Sequence, residues 1–298
     1  MFSGPAPVRA VSDIQRMGMF PAVFTPPPAL QAVLGDGFGA PCSAVMAAAE
    51  ALLSAWGPQE PISTEERRLA LLAALLLPLR AAQAPAKKKK GSAMPVSAHI
   101  VREAIKWRTR DADAVAEVHG AALELLRLHA RLRGPETGGA GFAAAEEDVR
   151  VALGRLLRRL GKLGLWRTSV LLAPLLAMPE AAPLGVDSAA AAAAAADARS
   201  ASPEALGAAA GAPEQACVAA RAEVCRDLES AVGAFGLEGC WAWKPLLDGR
   251  EVMAELRLPK GPQVGAASAR VLDWQLAHPT ASAEDCRAWL RSQGPPST

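Results

Sequence analysis

Three helix-start signals crowd into residues 244–298 and leave that segment little choice of structure. Asp248 followed by Glu251 is a capping box, in which each side chain satisfies a backbone N–H of the first turn. It opens a helix through Val252, Leu256 and Leu258 that closes before Lys260 and Gly261. Pro262 suits the first position of the next helix, where its missing N–H would be an orphan in any case. Val264, Ala267, Val271, Trp274 and His278 then recur at three- and four-residue steps. Pro279 stops the run, and Ser282 with Asp285 caps a last helix. The spacing predicts three short helices, a small tail module.

The same punctuation continues upstream. Proline and glycine clusters at Thr25–Pro28, Gly35–Pro41 and Gly57–Pro61 separate short helical stretches. Ser63 and Glu66 form a second capping box before the apolar run Leu69–Leu79, which Pro78 ends. Further helices are expected from near Ser97, over Asp111–Arg133, from about Glu146 to Leu160, and over Glu214–Phe235. Alanine is over-represented, tyrosine is absent and phenylalanine occurs six times, so the enrichment that marks strand-rich folds is missing. The expected class is all-α: a helical bundle, the body, followed by the tail module. Residues 1–40 form a connector, 41–178 the body, 179–213 an alanine-rich insert without function, 214–243 a helix rejoining the body, and 244–298 the tail.

With 298 residues and 51% hydrophobic content, the chain is long enough to bury a core. Its five cysteines are odd in number and widely spaced, without a metal-ligand pattern, which predicts reduced thiols and an intracellular location of unspecified compartment. Leu69–Leu79 is too short to cross a bilayer and Leu163–Met178 is interrupted by Arg167 and Pro174, so no membrane partner is expected.

The net charge of +2 hides an uneven distribution. Between Lys87 and Arg110 lie eight Lys or Arg residues, namely Lys87, Lys88, Lys89, Lys90, Arg102, Lys106, Arg108 and Arg110, against one acid, Glu103. Between Arg150 and Arg167 there are six, Arg150, Arg155, Arg158, Arg159, Lys162 and Arg167, and no acid. Such density attracts phosphates, and several contacts together give salt-dependent binding through counterion release. A charge run on one helix is as often a solvated face, but two such elements in a near-neutral chain favour a polyanionic partner.

Several features imitate catalytic motifs. Asp111-Ala112-Asp113 has the form used to hold two metal ions, but no strand or glycine-rich loop precedes it, and Arg108 and Arg110 compete for the carboxylates. Glu147-Asp148-Val149-Arg150 looks like a nucleotide-templating motif with one residue too few. His99, His119, His129 and His278 have no partner at catalytic spacing. Trp107, Trp166, Trp241, Trp243, Trp274 and Trp289 have faces for base stacking, yet on helical apolar stripes tryptophan is more often core. No catalytic or metal-ligating residue is assigned.

The stretches Lys244–Leu256, Pro259–Gly265 and Val271–Pro279, with Pro7–Phe24 and Lys87–Lys90 followed by Val96–Lys106, resemble class II CCA-adding enzymes, the tRNA nucleotidyltransferase and poly(A) polymerase family. The resemblance implies the end of the neck, the body and the tail of such an enzyme, which grip the acceptor stem and T-arm of tRNA. By the same resemblance the RNA-binding set is Lys87–Lys90, Arg102, Lys106, Arg108, Arg110, Arg155, Arg158, Arg159, Lys162, Arg167, Lys244, Arg250 and Lys260. The family's catalytic head carries the metal-binding aspartates and its neck the Glu-Asp-x-x-Arg template, and this sequence contains neither. No cofactor is therefore expected here; Mg and CTP or ATP belong to the head, which a separate catalytic polypeptide would have to supply. The chain alone is expected to be inactive, a truncated gene product that binds tRNA. A helical protein-interaction scaffold without an RNA role is the second class; a stacked scaffold would repeat at about 30 to 45 residues, and no such repeat is present.

Overall fold

The computed structural model of the chain describes residues 1–58, 61–84, 93–133, 140–186, 190, 193, 196–198 and 213–294. In order the helices are α1 (Pro7–Arg16), α2 (Phe20–Val23), α3 (Pro28–Leu34), α4 (Gly39–Trp56), α5 (Thr64–Leu76), α6 (Val96–His99), α7 (Thr109–Leu132), α8 (Ala140–Gly161), α9 (Trp166–Leu172), α10 (Glu214–Ala234), α11 (Gly249–Leu256), α12 (Pro262–Ala277) and α13 (Ala283–Gln293), joined in places by short 3₁₀ turns. The protein is all-α. Among the described residues the strands are one two-residue antiparallel pair, with Gln83 opposite Pro95 and Ala84 opposite Met94, which the sequence pattern did not announce.

The chain divides into two compact units, residues 1–133 with 163–228, and residues 134–162 with 229–298. The segment 134–162, placed with the body on sequence grounds, clusters with the last helices.

In the first unit the core is helix on helix. Ser63 accepts from the Glu66 N–H while Glu66 accepts from the Ser63 N–H, and this closed box starts α5. From Ala70 to Leu76 every residue of α5 is buried, and full burial of each leucine contributes about 1.5–3 kcal/mol before entropy is subtracted. Pro78 does not stop the chain dead; α5 tightens into a 3₁₀ turn over Leu77–Leu79. Helix α7 turns Val115, Val118, Ala122, Leu125 and His129 toward the core, and α9 buries Thr168–Leu172.

The stretch Asp36–Trp56 is apolar and long enough to cross a bilayer by length and composition alone. In the structure Cys42, Val45, Met46, Ala49, Leu52 and Trp56 of α4 lie at three-, four- and seven-residue intervals and are buried in the first unit. That periodic stripe is the use a core helix makes of such a composition.

In the second unit α8 presents Val149, Leu153, Leu156, Leu157 and Leu160 inward, and begins six residues before the expected Glu146, at Ala140. The alanines at 143–145 have the highest helix propensity of any residue and extend it backwards. The tail helices are capped as foreseen: Asp248 with Glu251, Pro262 at the first position of α12, and Ser282 with Asp285. Their core is Leu247, Val252, Ala267, Val271, Cys286 and Leu290.

Candidate nucleic-acid interface

One exposed cationic stretch of the first unit follows an irregular helix. After α6 the backbone widens into a π-helical turn over Ile100–Ala104, with Ile105 N–H bonded to Ile100 O at 3.0 Å and Trp107 N–H to Val101 O at 2.9 Å. Lys106 follows in the left-handed region, at φ +57°, a conformation a non-glycine residue adopts only when its surroundings impose it. Trp107 is the anchor: its ring meets Phe2 edge-on at 5.4 Å and lies under the Arg68 guanidinium at 4.3 Å. A fixed tryptophan between two outward residues holds Arg102, Lys106, Arg108 and Arg110 at the surface, all exposed.

Their partners are weak. Lys106 lies 3.9 Å from Glu103 and Arg110 3.9 Å from Asp111, distances at which solvent-exposed pairs contribute little. Arg102 and Arg108 have no ion pair among the described residues. Beside Arg110 opens a cleft of about 640 Å³ whose wall carries Glu65, Glu66, Asp111, Asp113 and Glu117 against Arg68 and Arg110. An acidic cleft repels phosphate, so this surface offers a polyanion its rim and not its interior.

The sequence-derived candidates separate into groups. Arg102, Lys106, Arg108 and Arg110 are all exposed along one nine-residue strip of chain. Arg167 is half-buried at the start of α9 in the same unit. Lys87, Lys88, Lys89 and Lys90 lie outside the described residues. In the second unit Arg155 is bidentate on Asp273, its Nε at 2.6 Å from Oδ1, and this carboxylate raises its pKa. Arg158 donates from Nη1 to the carbonyls of Cys240 at 2.5 Å and Trp243 at 3.1 Å. Arg150, on the same helix, donates to Ala277 O at 2.9 Å. The arginines of α8 thus tie that helix to the segments packed on it, while Arg159 and Lys162 are exposed. Lys244 is exposed at the entry to the tail. Arg250 and Lys260 line one shallow cleft of about 380 Å³ with Gly249 and Gly261.

Asp111 and Asp113 sit in the first helical turns of α7, where Asp111 faces Arg68 and Arg110. Among the described residues no three of His, Cys, Asp or Glu converge as metal ligands. One polar cluster escaped the sequence pattern altogether. His129, fully buried, bonds through Nε2 to Asp227 at 2.8 Å, and Arg133 bridges Asp227 and Glu223 at 2.9 Å each. Burial lowers the His129 pKa against the opposing pull of Asp227. Nothing at a separation of 98 residues signals this pairing in advance. His119 is likewise buried, bonded through Nε2 to Ala73 O at 2.8 Å, and burial pushes its pKa down to about 4.

No family model matches the chain, and no solved structure matches it. Among curated proteins, the tRNA nucleotidyltransferase cca2 of Schizosaccharomyces pombe is 39% identical over 56 residues, a stretch that is 19% of this chain and 12% of that protein. The chain therefore shares part of its sequence with a CCA-type tRNA nucleotidyltransferase while spanning a small fraction of that relative's length.

Proposed function

We propose that the protein is a tRNA-binding helical module related to the body and tail of class II CCA-adding nucleotidyltransferases, serving tRNA 3′-end processing. The observation that carries this is the 56-residue similarity to a tRNA nucleotidyltransferase; the exposed strip Arg102, Lys106, Arg108 and Arg110 supplies a surface suited to it. Paired RNA is gripped by shape and backbone, through cations that reach phosphates across a groove. The acceptor stem and T-arm are the paired parts of tRNA so placed. Arg250 and Lys260 add a second pair of cations in the tail. Arg155 and Arg158 serve first as structural ties. Nucleotide transfer, with its Mg and CTP or ATP, belongs in this proposal to a catalytic head that the sequence does not contain.

The test is titration of the purified chain with full-length tRNA lacking its CCA end, across a salt series, with nucleotide addition assayed on the same sample. Binding that weakens steeply with salt, without addition, is expected. Failure to bind at low salt overturns the proposal and leaves the protein-interaction scaffold.

A further inference from the structure

At the surface of the second unit three rings and a guanidinium lie in one file. Arg270, Trp274 and His278 fall on a single stripe at four-residue steps, and α13 brings Trp289 against them. Trp274 stacks on His278 with ring centres 4.6 Å apart and planes at 22°, and on Trp289 at 5.6 Å and 24°. Arg270 lies 5.9 Å from the Trp289 ring centre. Elsewhere among the described residues rings meet edge-on or tilted, as Phe2 with Trp107 at 74°, Phe20 with Phe38 at 79° and Phe20 with Phe24 at 34°, so the near-parallel file is a local construction.

The two tryptophans pack on the tail core. His278 ends the file and is exposed. Its Nδ1 lies 3.0 Å from the Trp274 carbonyl, which makes Nδ1 the donor and Nε2 the acceptor of the neutral ring. Arg150 is tied down beside it, donating to the carbonyl of Ala277, one residue before, at 2.9 Å and to Glu146 at 3.1 Å. Asp273, the sole acid of α12, is closed off by Arg155, so the outermost group of the file is the His278 ring.

We propose that His278 extends this file outward by stacking on one unpaired nucleobase of an RNA. This rests on the RNA-binding proposal above and adds to it the kind of nucleotide taken up. A base inside a duplex has both faces covered by its neighbours, whereas a looped-out base offers a face to an aromatic side chain. Stacking of this kind is tolerant of base identity, because every base has a π-face.

The test compares the wild-type chain on two RNAs, a fully paired duplex and the same duplex carrying one bulged adenine. Wild type is expected to bind the bulged RNA about tenfold more tightly, and the bulge to shift the ring-proton signals of His278. His278→Ala is expected to abolish the preference without altering affinity for the paired duplex, and His278→Phe, which keeps a stacking ring, to retain it. Equal wild-type affinity for the two RNAs, or a preference that survives in His278→Ala, overturns this inference and leaves the RNA-binding proposal standing. Failure to bind either RNA at low salt overturns both.

Discussion

Gly161 and Gly120 are both helical glycines, and adding one methyl group to each is expected to move stability in opposite directions. A Cβ on Gly161 would stand 2.5 Å from the Trp241 ring, so the ring must shift; Gly161→Ala should destabilise by about 1–3 kcal/mol through overpacking. A Cβ on Gly120 meets nothing within 4 Å, and Gly120→Ala in mid-helix should stabilise by roughly 0.5–1 kcal/mol. Urea denaturation of the two variants measures both signs. His119 gives a pH-dependent case. Burial, opposed by the bond to Ala73 and aided by the Arg80 charge, pushes its pKa down to about 4 from the ordinary 6.5. Above pH 6.5 both folded and unfolded chains keep it neutral and it has no effect. As pH falls below that value the unfolded chain takes up a proton that the native one refuses, so stability drains away down to about pH 4, by something on the order of 3 kcal/mol. His119→Gln should flatten that part of the stability curve, as denaturation midpoints at pH 7.5 and pH 5 would show. Neither feature was legible in the sequence: the glycines look alike there, and a histidine's burial depends on Ala73, in another helix.

Elements were far easier to read, because their start signals are local. Ser63 with Glu66, Asp248 with Glu251 and Ser282 with Asp285 all close as capping boxes in the structure. Ser63→Ala should cost about 1 kcal/mol, seen as a lower midpoint in thermal or urea unfolding of the first unit. What stayed hidden were features without a local signature, the two-residue strand pair and the π-helical turn over Ile100–Ala104. Helix α8 shows the limit most plainly. Its run of arginines is visible in the sequence, but the carbonyls of Cys240, Trp243 and Ala277 and the carboxylate of Asp273 that they bond lie far along the chain and are set by packing. Arg158→Ala should therefore lower the stability of the second unit by about 1 kcal/mol, removing the one donor shared by the carbonyls of Cys240 and Trp243, and should leave the salt dependence of tRNA binding unchanged.

At the scale of the whole molecule the contrast between tied and free cations decides what binding measurements should show. Arg108→Ala removes an exposed charge without an ion pair; it should leave unfolding midpoints where they are, weaken tRNA binding, and reduce the slope of log affinity against log salt by about one. The sequence located this strip by density, and its anchoring by Trp107, Phe2 and Arg68 emerged only with the fold. The turn beneath it has a further consequence. A π-turn holds one residue more than a turn of α-helix, and here it closes α6, so the direction in which the chain leaves that helix depends on the surplus residue. Losing an uncharged residue such as Ala104 would leave the net charge untouched yet change the point from which the left-handed Lys106 and the extended Arg108 leave the turn. The strip would fall apart with its inventory of charges complete, and in this protein the length of one turn, more than its composition, sets where the positive surface lies.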